Sequence, residues 1–151
     1  MMKKVQAEEL KVTEILTPQK NEVRELPLFL ESISAGFPSP ADDYMEKKLD
    51  LNDYLIHNPA ATFFLRVTGD SMTDVGIHSG DILVVDRSLN TKDGSIIIAV
   101  ILGELLVKRL RIIKNKYYLY AENPKFQPIE IKDEMNFEVW GVVTTVIHSL
   151  L

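Results

Sequence analysis

From about residue 61 to the C-terminus, short apolar runs and alternations are separated by turn residues every few positions. The pattern predicts strands at Thr62–Val67, Ile82–Asp86, Ile96–Leu102, Leu105–Ile113, Tyr117–Ala121 and Phe137–Ile147. Gly69, Gly80, Gly94, Gly103, Asn115 and Asn123-Pro124 punctuate them. No helical pattern of 10 to 15 residues intervenes, so a parallel α/β sheet is disfavoured. The expected fold is mostly β, a sandwich or a partly open barrel of short strands.

Residues 1 to about 35 are polar and weakly patterned, broken by Pro18 and Pro27, and read as an arm. Gly36-Phe37-Pro38-Ser39-Pro40-Ala41-Asp42-Asp43 concentrates glycine and proline, which keep a backbone extended and accessible. Asp50 to Ile56 reads as a short capped helix that stops near Asn58-Pro59.

Composition narrows the function classes. A net charge of −5, from 17 basic and 22 acidic residues, gives no global attraction to nucleic acid or anionic lipid. The absence of cysteine excludes disulfide scaffolds, thiolate metal sites and cysteine nucleophiles, and makes the cytoplasm the default expectation. The longest apolar run, Ile96 to Leu102, is seven residues, far below the roughly 18 that a membrane helix needs. Glu8, Glu9 and Glu14 fall where a signal peptide needs its apolar stretch.

Thr68-Gly69-Asp70-Ser71-Met72 follows directly on a predicted strand, which sets the Ser71 hydroxyl on a tight turn. Such a serine is either an ordinary turn or cap residue or a nucleophile, with nearby backbone amides converging on a developing oxyanion. In Glu104 to Arg111, period two places Leu106, Lys108 and Leu110 on one face and Leu105, Val107, Arg109 and Arg111 on the other. Lys108 either lays its stem over apolar surface or is desolvated toward its neutral form and acts as a base. Working at neutral pH requires a lysine to fall from ~10.4 to about 7–8, roughly 3–5 kcal/mol against the charged form.

Other chemistry is weaker. His57, His78 and His148 are scattered; a Ser–His triad using His78 with Asp74 or Asp81 is the lesser alternative. No His pair or His–carboxylate spacing suits a metal, and no cofactor motif is present. Lys108, Arg109, Arg111, Lys114 and Lys116 crowd five bases into nine residues, but a strand divides them between two faces and the acidic remainder opposes phosphate binding.

Ala35-Gly36-Phe37-Pro38-Ser39-Pro40-Ala41, Gly69-Asp70-Ser71-Met72 and Val107-Lys108 occur in one order, 35 residues from Gly36 to Ser71 and 37 from Ser71 to Lys108. Together with Asp81 to Asp86 and Trp140-Gly141-Val142-Val143, this set resembles the LexA/UmuD family of self-cleaving serine–lysine peptidases, from about Pro27 to the C-terminus. The resemblance implies Ser71 as nucleophile, Lys108 as general base and Ala35–Gly36 as the scissile bond. It divides the chain into an arm, 1–35, removed by self-cleavage, and a β-rich peptidase-like domain, 36–151. It further implies a homodimer, stimulation by RecA filaments on single-stranded DNA, and service of the cleaved form as accessory subunit to a Y-family, UmuC-like error-prone polymerase in the SOS response. Alanine stands before the scissile glycine, as in LexA, where the UmuD type often carries cysteine, and the arm is about ten residues longer than usual. A helix-turn-helix domain of roughly 60 residues does not fit within 35, so sequence-specific DNA binding is not expected. The alternatives are a non-catalytic interaction module of the same fold and a plasmid or phage LexA-like self-cleaving regulator.

Overall fold

The computed structural model describes residues 7–19, 25–29 and 45–151. The chain divides into two compact units, one of residues 1–18 and 58–151 and one of residues 19–57.

In the smaller unit, strand β2 (Glu25–Phe29) pairs antiparallel with β3 (Met45–Asp50). Helix α1 (Leu51–Leu55) follows, and the Asp50 carboxylate caps it by accepting from the Asn52 N–H at 2.9 Å. This is the short helix the sequence predicts. The hairpin before it was not predicted: Pro27 reads as a breaker, yet at a strand position on a two-stranded ribbon its missing N–H is tolerated.

The larger unit is an antiparallel barrel. Its strands are β1 (Lys11–Leu16), β4 (Thr62–Thr68), β5 (Ile82–Asp86), β6 (Ile96–Ile101), β7 (Glu104–Ile113), β8 (Lys116–Tyr120), β9 (Ile129–Glu130) and β10 (Glu138–Ile147). They run in the order β1-β4-β5-β10-β6-β7-β8-β9, and a further pairing of β1 with β7 closes the first six into a ring. The six strands predicted from residue 61 onward are β4, β5, β6, β7, β8 and β10, each within about one residue of its expected limits. Strand β1 corrects the sequence reading, which gave residues 1 to about 35 no regular structure. The apolar side chains it turns from solvent are only Leu10, just before it, and Val12, too few to stand out beside Pro18 and the surrounding charge.

Register breaks at Val12/Glu14 in β1, and at Val139/Gly141 and Val143/Thr145 in β10, supply the local bends that closure needs. Gly141 is required by one such approach, because a Cβ there would stand 2.5 Å from Val85 Cγ1. The barrel core gathers Leu10, Leu65, Val67, Met72, Ile77, Leu83, Val85, Ile98 and Val107. A second cluster, Ile97, Ala99, Leu110 and Leu119, lies on the other face of β6 and β7, so the consecutive apolar residues of β6 are buried on both sides. Among the described residues, no helix is long and apolar enough to cross a membrane.

Candidate active site

Strand β4 ends at Thr68, and the chain then turns through Gly69 at φ +118°, a conformation that L side chains rarely adopt. The turn carries Ser71 and Met72 inward, both fully buried. It is braced from behind by the loop after β8: Glu122 donates its N–H to the Ser71 carbonyl at 2.9 Å, and the Asn123 side-chain amide donates to the Asp70 carbonyl at 2.8 Å. Arg109 pairs with Glu122 and donates to the Gly94 carbonyl at 2.6 Å, tying that loop to β7.

Lys108 lies on β7 with Leu106 and Leu110, as period two predicts, and all three are buried. The Lys108 side chain is fully inaccessible, and its Nζ stands 5.4 Å from the centroid of the Phe126 ring. A buried ammonium is costly unless a counter-charge meets it. Here the Glu9 carboxylate does so, with Oε2 at 2.6 Å from Nζ. The approach is not along a hydrogen-bonding direction, and neither atom has a hydrogen-bond partner. The contact is therefore one of charge against charge.

Ser71 and Lys108 thus converge on one short stretch of backbone. The Leu10 N–H donates to Ser71 Oγ at 2.8 Å, and the Val107 N–H donates to the Leu10 carbonyl at 3.1 Å. Two residues before Leu10, Glu8 makes a reciprocal pair with Asp70: the Glu8 N–H donates to Asp70 Oδ1 at 2.7 Å, and the Asp70 N–H to the Glu8 carbonyl at 2.8 Å. Gly69 makes this possible, since a Cβ there would fall 2.2 Å from the Glu9 carbonyl oxygen. The site is therefore shaped to take an extended main chain between β4 and β7, with the hydroxyl against its backbone and the amine against the neighbouring side chain. Such a pair can supply a nucleophile and the base that activates it, provided the amine is neutral.

The scissile pair expected from the sequence, Ala35 and Gly36, lies outside the described residues. Glu9, Leu10, Glu122 and Asn123 were not singled out from sequence. Only the period-two placement of Leu10 and Val12 signals the strand, and nothing in the local sequence announces that Glu9 meets Lys108.

The competing constellations do not assemble around Ser71. The His78 and His148 rings meet at a tilt of 50° with centroids 5.1 Å apart, and His148 Nδ1 lies 2.5 Å from the Asp81 carboxylate. The basic run of β7 and β8 is largely neutralised: Lys108 meets Glu9, Arg109 meets Glu122, Arg111 meets Asp93 at 2.9 Å, and Lys116 approaches Glu130 at 3.8 Å. Side chains so engaged are poorly placed to track phosphates. Arg111 and the Ile112 N–H also hold Asp93: the backbone hydrogen bond from Ile112 first, then Arg111, lower its carboxyl below the usual carboxylate range.

Comparison with known proteins gives a consistent picture. The profile of the Peptidase S24-like family matches residues 27–144. The protein MucA of Salmonella typhimurium is 48% identical over 130 residues, covering 85% of this chain and 86% of MucA. SamA of Salmonella typhimurium is 47% identical over 136 residues, covering 89% of this chain and 94% of SamA. The LexA repressor of Photorhabdus laumondii is 41% identical over 125 residues, covering 82% of this chain but 61% of the repressor.

Proposed function

We propose, from the premise that this chain belongs to the Peptidase S24-like family, that Ser71 and Lys108 cut the chain's own Ala35–Gly36 bond. The chain is a self-cleaving SOS-response protein of the UmuD-like kind, and its family is one of self-cleaving serine peptidases. The observation that carries this reading is that two fully buried polar side chains, Ser71 and Lys108, meet two consecutive residues of one segment, Ser71 at the Leu10 N–H and Lys108 at the Glu9 carboxylate.

Neutral Lys108 takes the proton from Ser71 Oγ as that oxygen attacks the carbonyl carbon of Ala35. The developing oxyanion is met by backbone amides near Ser71. The C–N bond to Gly36 breaks, and the proton passes to the departing Gly36 amine. Water then hydrolyses the acyl-serine and frees residues 1–35. Small side chains at Ala35 and Gly36 permit close approach, and Pro38 and Pro40 keep the following backbone extended.

The protein works in the cytoplasm as a homodimer. RecA filaments on single-stranded DNA favour the cleavable arrangement without supplying catalytic groups, and the cleaved dimer serves a Y-family polymerase subunit. The test is incubation of the full chain with activated RecA filaments at neutral pH, read by intact mass. Products that break between Ala35 and Gly36, absent from Ser71→Ala and Lys108→Ala chains that remain folded, support the reading. Cleavage that persists in either variant overturns the assignment.

A further inference from the structure

The residues that meet Ser71 and Lys108 in this structure are Leu10, through its backbone N–H, and Glu9, through its carboxylate. We propose that Glu8–Leu16 is a built-in competitor for the substrate groove, and that the 35–36 bond reaches Ser71 only after this strand has left. The inference rests on the reading above that Ser71 and Lys108 cut that bond.

Three observations carry it. The first is position. With the Leu10 N–H on Ser71 Oγ at 2.8 Å, the Glu9–Leu10 peptide occupies the hydroxyl that a scissile peptide has to reach. Glu9 then takes the place of Ala35, and Leu10 that of Gly36.

The second is chemistry. A substrate with alanine before the scissile bond presents no charge to Lys108, whereas Glu9 places a carboxylate oxygen 2.6 Å from its Nζ. The carboxylate thus occupies the amine that the reaction needs free to receive the Ser71 proton. The occupant therefore fills the groove and also silences the base, which explains why its own peptide bond can rest against a nucleophile.

The third is the way the strand is held. Strand β1 bonds to β4 through five registered pairs but to β7 through one, and it is the piece that closes the ring. Beyond Leu10 its side chains are mostly exposed. A strand with one deeply buried anchor and an otherwise wet surface belongs to the part of a fold that opens at low free-energy cost. Its departure opens the barrel between β4 and β7, leaving two strand edges able to accept another extended segment.

The absence of cysteine from the chain permits a clean test. Glu14 and Arg66 face each other across β1 and β4 as a registered pair, away from Ser71 and Lys108. A Glu14→Cys/Arg66→Cys chain can be locked by oxidation and released by reduction. Cleavage at 35–36 is expected to be at least about tenfold slower when oxidised and to recover on reduction, since tenfold corresponds to about 1.4 kcal/mol. Equal rates in the two states overturn the proposal.

A second variant, Glu9→Ala, leaves Lys108 without its counter-charge while the strand is docked. Faster amide exchange over residues 9–16 together with faster cleavage is expected, by roughly the same tenfold factor. Faster exchange with unchanged cleavage, or unchanged exchange, rejects the competitor. Failure of the earlier reading is distinguishable: there the unsubstituted chain is not cut at all, with filaments or at high pH, and the competitor falls with it.

Discussion

Leu10 donates its backbone N–H to Ser71 Oγ across 61 positions of sequence, so a residue of the N-terminal arm sits directly on the candidate nucleophile. The same residue is fully buried in the barrel core. One position earlier, Glu9 meets Lys108. The arm is therefore part of the site it is expected to be cleaved from.

Leu10 and Leu65 are both fully buried in the main core cluster, yet they belong to elements held differently. Truncating a buried leucine to alanine costs about 2–5 kcal/mol when its element is fixed in the folded state. Leu65→Ala, on the central strand β4, is expected to lose that amount in denaturant unfolding. Leu10→Ala is expected to lose less, because the penalty cannot exceed the free energy that docks β1. Equal losses would show that β1 opens only with the whole barrel.

Asn123 holds the Ser71 turn from outside the site. Its side-chain amide donates to the Asp70 carbonyl, and its own carbonyl oxygen accepts from the Lys125 N–H at 3.0 Å. Asn123→Ala removes a part-buried hydrogen bond to the Asp70 carbonyl, a loss of about 0.5–1.5 kcal/mol. Cleavage should slow at saturating filament, with the effect in the rate at saturation rather than in the filament concentration needed. A thermal melt and a filament titration together check this. Unaltered cleavage in a destabilised chain would make the residue structural only.

Asp93 sets a pH-dependent contribution on the far side of β7. The Ile112 N–H and Arg111 favour its ionised form in the folded chain, lowering its pKa. The stabilisation is therefore present above the ordinary carboxylate range of about 3.9 and is lost as pH falls through the lower folded value. Asp93→Asn should lower the melting temperature at pH 7, and the difference from the unsubstituted chain should shrink as the pH is taken to ~3. A difference that does not change with pH contradicts the linkage.

Much of this architecture was legible beforehand because strands with an apolar face advertise themselves. Strand β5 is a run of apolar residues bounded by aspartates, and β7 alternates so regularly that Lys108 could be set on the leucine face from period two alone. The three ordered motifs then pointed to Ser71 and Lys108 as a pair, where neither residue alone outweighed an ordinary turn serine or a snorkelling lysine. Strand β1 escaped notice for a physical reason: most of its side chains face water, and its pairing to β4 is made by backbone bonds that leave no compositional trace. The Glu9–Lys108 contact was beyond reach for the same reason, since it depends on where that strand docks and joins residues 99 positions apart.

The central claim is tested most directly by the intact mass of the purified chain held alone at pH ~10, where a lysine in water approaches half neutral and filaments are not required. The account predicts two products that meet between Ala35 and Gly36, formed by the unsubstituted chain and not by Ser71→Ala. A chain that stays whole there and with filaments, or a Ser71→Ala chain cut at the same bond, would contradict it.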